Sequence, residues 1–411
     1  MERRRGRTAR ALPGRRRRHA TRRPAGSQVT GVRIVRLANF VTGRSGGLRT
    51  ALRHLGAGYL AAGHEPVLVI PGERYGDTRQ PWGRVVTLPG PVLPGSGGYR
   101  LLADRRRLAG VLADLAPDRL EVSDRSTLRW TGRWARAHGV PSVMVSHESL
   151  TGLLGQWRLP DGAARRVADR LNRETLRHYD RVVCTTRWAA EEFDRLAGPP
   201  VDLVPLGVDL TTFHPGRADP VLRERYADHT EVLLVHCARL SVEKRPELAV
   251  AALARLRRAG VPAVLVMVGD GPLRPALARR AAGLPVHFAG FLPDRTALAA
   301  LLATADVVLA PGPVETFGLA GLEALASGTP VVANAAGALP EVIGPGGLAA
   351  HGTPSAIADA VVRLLERPTA ARRSAARRRA EEFGWPAAVA GLLRAHGVAP
   401  ADSAPAAPGT P

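Results

Sequence analysis

Lys244 is the only lysine in the chain; the other 57 of its 58 Lys and Arg side chains are arginines. A bias this strong turns ordinary surface charge into guanidinium, so the one retained ammonium draws attention to its surroundings. A compact point charge and a planar fork are not equivalent against a phosphate oxygen in a tight turn. A stray surface lysine is the simpler reading until the neighbours are considered. They read Cys237-Ala-Arg239-Leu-Ser-Val-Glu-Lys244-Arg-Pro246, following an apolar run that begins at Val232, and Pro246 opens an alanine- and leucine-rich helical pattern. Arg239 and Lys244 are therefore expected in the turn between a buried strand and a helix N-terminus, where open α/β sheets bind anions.

A second cluster is Pro313-Val-Glu315-Thr-Phe-Gly318-Leu-Ala-Gly321-Leu-Glu323-Ala-Leu-Ala-Ser-Gly328-Thr-Pro330. It follows the run 307–309, and its pattern predicts a helix from Phe317 to Ser327 that stops at Gly328. Backbone N–H groups around Thr316, Phe317, Gly318 and Leu319 then face a shared anion, with glycine at 318 allowing close approach. Carboxylates do not bind phosphate. Glu315, just outside the helix, and Glu323, inside it, suit hydroxyl groups on either side of the phosphates, as a sugar nucleotide presents them. The competing reading makes Glu323 a cap or a solvated helix residue.

In the first half, Ser45-Gly46-Gly47-Leu48-Arg49 follows the first apolar run and opens a helical pattern ending near Gly63. Its glycines let backbone N–H groups approach a phosphate or a sugar. His147, in Ser146-His-Glu-Ser149, ends the run 143–145 and belongs at the same end of the sheet. Each signal is weak alone, since glycine-rich turns are common and a lone histidine is most often structural.

The elements that must position these groups are short apolar runs alternating with helical patterns, which argues for parallel sheets with helices on both faces. In the first half the runs are 34–37, 67–70, 85–88, 120–122, 143–145 and 182–184; in the second they are 232–235, 264–268, 286–288, 307–309 and 331–333. Gly198-Pro-Pro200 separates the halves. At 411 residues and 45% hydrophobic, the chain accommodates two such domains, expected at 32–199 and 200–383. A last helix, 384–397, is expected to return to the first domain. Cys184 and Cys237 each end a strand-like run and read as small core residues of a reducing compartment.

The formal charge is +22, of which residues 1–30 carry +10 in eleven arginines and one acid, leaving +12 for the rest. Residues 1–31 read as a disordered basic segment or a misassigned start, ahead of a nucleic-acid or membrane arm, and 398–411 as a disordered tail. No apolar run approaches the roughly 18 residues of a membrane span. Asp-x-Asp pairs and Cys/His metal spacings are absent from the sequence.

Taken together in this order, the motifs make the chain similar to the retaining glycosyltransferases of family 4, which have the GT-B fold: α/β, two facing Rossmann-like domains with parallel sheets and a cleft between them. The likeness covers about residues 32 to 397 and includes Gly207-Val-Asp209, Phe213-His-Pro215 and Gly269-Asp-Gly271-Pro272. It implies donor-diphosphate binding by Arg239 and Lys244, donor-sugar hydroxyls on Glu315, ribose on Glu323, and the base near Gly290 and Phe291. It also implies a glycine loop at Gly46 and Gly47 and a role for His147 in holding the donor sugar and supporting diphosphate departure. Within the family the chain resembles the actinobacterial GDP-mannose-dependent α-mannosyltransferases of membrane glycolipids. The residues that carry this are Ala38-Asn-Phe40, Arg44 to Thr50, Gly97-Gly-Tyr99-Arg100, Leu120 to Asp124, Val145 to Glu148 and Ala310-Pro-Gly312. Leu206 departs from the family, where asparagine commonly stands.

The resemblance implies GDP-mannose or another sugar nucleotide as donor, a lipid-linked acceptor of phosphatidylinositol-mannoside type and no metal cofactor. Front-face attack, with the acceptor proton passing to the leaving phosphate, is the favoured route; double displacement needs a carboxylate that the sequence cannot place. A peripheral position on an anionic, cytoplasmic membrane surface is expected through the basic stretches 99–115 and 157–179. Two rivals are a sugar-nucleotide epimerase of similar fold and a basic nucleic-acid-binding protein. The second has no recognisable nucleic-acid module, and no specific nucleic acid is expected.

Overall fold

The computed structural model describes residues 31–41, 46–93, 98–147, 149–156 and 160–398. The expectations for residues 1–30 and 399–411, and those resting on Arg44, Ser45, Gly97, Glu148, Trp157 and Arg158, lie outside the described residues.

Eight strands form the first sheet: β1 (Arg33–Leu37), β2 (Glu65–Gly72), β3 (Gly76–Gln80), β4 (Gly83–Pro89), β5 (Arg119–Val122), β6 (Ser142–Ser146), β7 (Arg181–Cys184) and β8 (Asp202–Leu203). Their order is β3-β4-β2-β1-β5-β6-β7-β8, and only β3 pairs antiparallel, with β4. Six strands form the second sheet, all parallel: β9 (Val232–Cys237), β10 (Ala263–Val268), β11 (Val286–Gly290), β12 (Val307–Ala310), β13 (Val331–Asn334) and β14 (Gly347–Ala350), in the order β11-β10-β9-β12-β13-β14. β10 is apolar and buried at every residue because helices cover both faces, whereas the central β1 and β5 of the first sheet also bury Arg36 and Glu121.

All eleven runs read from the sequence form strands. The three additional strands carry no such signal: β3 is the polar, exposed Gly-Asp-Thr-Arg-Gln, β8 has two residues, and β14 reads Gly-Leu-Ala-Ala.

The chain crosses between domains twice, side by side. Val208 donates its N–H to Phe383 O at 2.9 Å and bridges to Gly384. A Cβ at Gly207 would lie 2.4 Å from Trp385 N, so a glycine is what lets the two crossings touch. The following helix, Trp385–Ala395, packs on the Gly47–Ala61 helix of the first domain: Trp385 stacks on His54 with ring centroids 4.6 Å apart, and Gly58 leaves room for Val389. Just beyond it, His396 Nε2 lies 3.1 Å from Glu121 Oε2. Glu121 is buried in β5, where Arg36 Nε donates to it at 2.7 Å and Tyr59 Oη at 2.6 Å. Burial alone would raise the Glu121 carboxyl, but the Arg36 guanidinium and these hydrogen bonds hold it well below the usual range.

Candidate functional site

In the second sheet the chain runs outward from β9 to β11 and returns on the other side at β12, so the crevice opens at the carboxyl ends of β9 and β12. The loops leaving these two strands carry the residues singled out above. After β9, Val242–Lys244 forms one 3₁₀ turn and Arg245 follows at φ 49°, a left-handed conformation uncommon for a non-glycine residue. Pro246 then opens the Pro246–Arg258 helix. This corner brings Lys244 to the loop after β12, where Nζ donates to Glu315 Oε1 in an ion pair. Burial would lower the lysine, yet the Glu315 carboxylate outweighs it, so the ammonium is held above its ordinary value.

The helix after β12 spans Leu319–Ala326 and starts two residues later than the sequence pattern predicts. The reason is Gly318, at φ 85°, where a Cβ would also sit 2.6 Å from Leu339 Cδ1. Phe317 is thereby turned into the core, edge-to-face with Phe383, and can offer a ligand only backbone. Gly321 N donates back to Gly318 O at 2.9 Å, so in the first turn the N–H groups of Leu319 and Ala320 are the ones left without a partner in the helix. Thr316 lies at the seam between domains: its hydroxyl donates to His147 O at 2.7 Å, and its carbonyl accepts from Thr185 Oγ1 at 3.3 Å and Thr186 Oγ1 at 3.1 Å.

Glu323 is neither a cap nor a solvated residue. It is 5% exposed and accepts from both terminal nitrogens of Arg295, at 2.5 and 3.4 Å, while the Arg295 guanidinium lies 4.7 Å from the Phe213 ring centroid. Burial pushes the carboxyl up and Arg295 works against it. Gly290 ends β11 at φ 71°, with Phe291 exposed beside it.

Across the cleft, Gly46 precedes the Gly47–Ala61 helix and is exposed. A Cβ at Gly47 would lie 3.5 Å from Leu319 Cδ1, so the N-terminal ends of helices from the two domains confront each other. Arg239 places its guanidinium 4.6 Å from the Tyr99 ring centroid, and Tyr99 in turn meets Phe40 edge-to-face at 5.9 Å. Tyr99, counted in sequence with a membrane-facing stretch, is therefore engaged with the second domain instead. His147 is half-buried, and burial pushes its imidazole down to about 4, so the ring is neutral at pH 7.

Arg239, Lys244, Glu315, Thr316, Gly318, Leu319, His147, Gly46 and Gly47 thus border one interdomain cleft. Glu323 lies further along the Leu319–Ala326 helix, and Gly290 and Phe291 at the end of β11. Sequence reasoning missed Arg295, which nothing distinguishes among 57 arginines. It also missed Thr185 and Thr186, whose position just after β7 was the available signal. Among the described residues, no group of three or more His, Cys, Asp or Glu side chains could hold a metal ion.

Comparison with known proteins adds the following. Residues 46–209 match a glycosyl transferase 4-like domain and residues 231–367 match glycosyl transferases group 1. The chain is 52% identical over 364 residues to a GDP-mannose-dependent alpha-(1-6)-phosphatidylinositol dimannoside mannosyltransferase of Mycobacterium tuberculosis, covering 88% of this chain and 95% of that protein. It is 32% identical over 289 residues to a GDP-mannose-dependent alpha-mannosyltransferase of Mycolicibacterium smegmatis, covering 69% and 74%. Among solved structures, sucrose-phosphate synthase from Thermosynechococcus elongatus superposes with a TM-score of 0.70 at 22% identity, over 88% of this chain and 98% of that one. Anabaena HepE in complex with UDP and glucose gives 0.69 at 19% over the same shares. These two show the fold, two parallel-sheet domains facing a cleft. The sequence relatives settle the family: the chain belongs to the group 1 glycosyltransferases and has the GT-B fold.

Proposed function

We propose that this enzyme transfers mannose from GDP-mannose to a phosphatidylinositol-mannoside-type glycolipid, with retention at the anomeric carbon, while resting peripherally on the cytoplasmic face of a membrane. The observation that carries the reading is the junction of Lys244 with Glu315 beside Arg239 and the Leu319–Ala326 helix N-terminus. It sets cations and free N–H groups against a carboxylate at the carboxyl ends of β9 and β12. Donor identity rests on the names of both mycobacterial relatives, and acceptor identity on the name of the Mycobacterium tuberculosis one.

In this reading Arg239, Lys244 and the helix N-terminus stabilise the charge that grows on the diphosphate as the sugar C1–O bond breaks. Glu315 exchanges Lys244 for donor-sugar hydroxyls, Glu323 takes the ribose, and the base rests near Gly290 and Phe291. The acceptor hydroxyl forms the new C1–O bond on the same face, and its proton passes to a phosphate oxygen of departing GDP. Neutral His147 hydrogen-bonds the sugar rather than supplying a charge. These residues need no metal among them for the charge stabilisation described.

The test is a matrix of donors and acceptors: GDP-mannose, GDP-glucose and UDP-glucose, each offered phosphatidylinositol mono- and dimannoside or no acceptor. Transfer from GDP-mannose to a mannolipid is expected. Product formed without an acceptor points to epimerisation or hydrolysis, and efficient transfer from UDP-glucose contradicts the donor assignment.

A further inference from the structure

The donor loop is tied to the opposite domain by a carboxylate that takes no part in the site described above. The Arg187–Asp194 helix begins just beyond β7 in the first domain, with Thr186 as its N-cap, its Oγ1 accepting from Ala189 N at 3.1 Å. The next two N–H groups, of Arg187 and Trp188, donate to the two carboxylate oxygens of Glu341 at 2.9 and 3.1 Å. Glu341 belongs to the Leu339–Ile343 helix of the second domain. A helix of one domain thus has its positive end closed by an anion of the other.

The segment that carries Glu341 also holds the donor loop. Ala338 N donates to Glu315 O at 2.9 Å, and Leu339 fills the space beside Gly318. The loop itself bonds to the first domain through Thr185, Thr186 and the His147 carbonyl, all on Thr316. At least five hydrogen bonds between described residues therefore cross the seam, two on Glu341 and three on the residue next to Glu315. Glu341 itself is exposed, so neither domain uses its side chain in a core.

We propose that Glu341 is a positioning residue for transfer. By capping the Arg187–Asp194 helix across the cleft, it latches the domains in the arrangement where the His147 backbone is bonded to the Glu315 loop. The proposal rests on the transferase reading above and adds to it a residue that touches neither donor nor acceptor.

The experiment compares the full-length wild type with Glu341→Ala and Glu341→Gln. Three readouts are needed: mannosyl transfer, GDP affinity by calorimetry, and X-ray scattering with saturating GDP. A lost helix cap of this kind corresponds to about a tenfold change in the equilibrium it supports. Glu341→Ala is expected to lower kcat by about that factor, to leave GDP affinity within about twofold, and to enlarge the radius of gyration. Glu341→Gln keeps an acceptor oxygen without the charge and should fall between. Unchanged kcat with unchanged scattering would overturn the proposal. So would GDP affinity falling in step with kcat, because Glu341 would then act within the donor domain alone. If the wild type transfers nothing from GDP-mannose, the substrate assignment fails instead, and the scattering comparison still decides the latch.

Discussion

At the residue scale, the informative contrast is between Lys244 and the arginines around it. Among the described residues its ammonium has one side-chain hydrogen-bond partner, Glu315, a single-point contact that a phosphate oxygen can replace. A guanidinium there would grip the carboxylate with two parallel bonds and yield less readily. Lys244→Ala and Arg239→Ala are each expected to lose about 2 to 4 kcal/mol of transition-state stabilisation in steady-state assays. Lys244→Arg should also be impaired, and full activity in that variant would contradict the argument. Glu323→Ala is expected to weaken GDP and GDP-mannose alike, whereas Glu315→Ala should spare GDP and weaken only the sugar nucleotide. Equal losses in both variants by calorimetry would reverse that assignment. Lys244 stood out in sequence because its type is unique in the chain, and Arg239 and Glu315 because each closely follows an apolar run. Arg295, which pairs with Glu323, was hidden among residues of its own kind, and Glu341 became meaningful only when a helix from another domain was seen to end on it.

At the element scale, strands were legible wherever helices bury both faces, since burial writes itself as an apolar run. β3 is exposed at the sheet edge and therefore silent. The start of the Leu319–Ala326 helix was misread because hydrophobic spacing continues through Phe317 while the backbone does not: Gly318 turns left-handed first. Gly318→Ala is accordingly expected to cost about 1 to 2 kcal/mol in backbone strain alone, with a further loss from the contact with Leu339. Thermal unfolding and transfer should both suffer. An alanine variant as stable and active as the parent would show that the turn does not set the helix start.

At the scale of the molecule, charge and protonation govern behaviour. Burial lowers His147, His236, His54, His64 and His178 below their ordinary value. The unfolded chain therefore takes up protons first as pH falls, and stability should be full above about 6.5 and decline toward 4. Melting curves at pH 7.5 and 5 test this, and His147→Asn should shrink the difference. Arg165, Arg166, Arg170, Arg173 and Arg177 are exposed along the Asp161–His178 helix, while Ala164 and Ala168 turn inward. Arg105 to Arg107 are likewise exposed, whereas Leu108, Leu112 and Leu115 face the core. The exposed arginines of these stretches would contribute electrostatically, about 1 kcal/mol per basic residue near anionic lipid, with Val167 exposed among them. A chain beginning at Val32 should float with anionic vesicles and not with neutral ones. Equal, negligible flotation at low and moderate salt would remove the membrane contact.

The return of Trp385 to His396 onto the first domain has a consequence for synthesis. The surface formed by His54, Gly58 and Tyr59 is completed by residues made some three hundred positions later. Of the two domains, the one that leaves the ribosome earlier is therefore finished later. Until then it presents an open apolar face and a carboxylate, Glu121, still waiting for His396. A chain stopped at Gly384 is expected to accumulate in the insoluble fraction, and supplying residues 385–398 as a separate peptide during refolding should recover part of it.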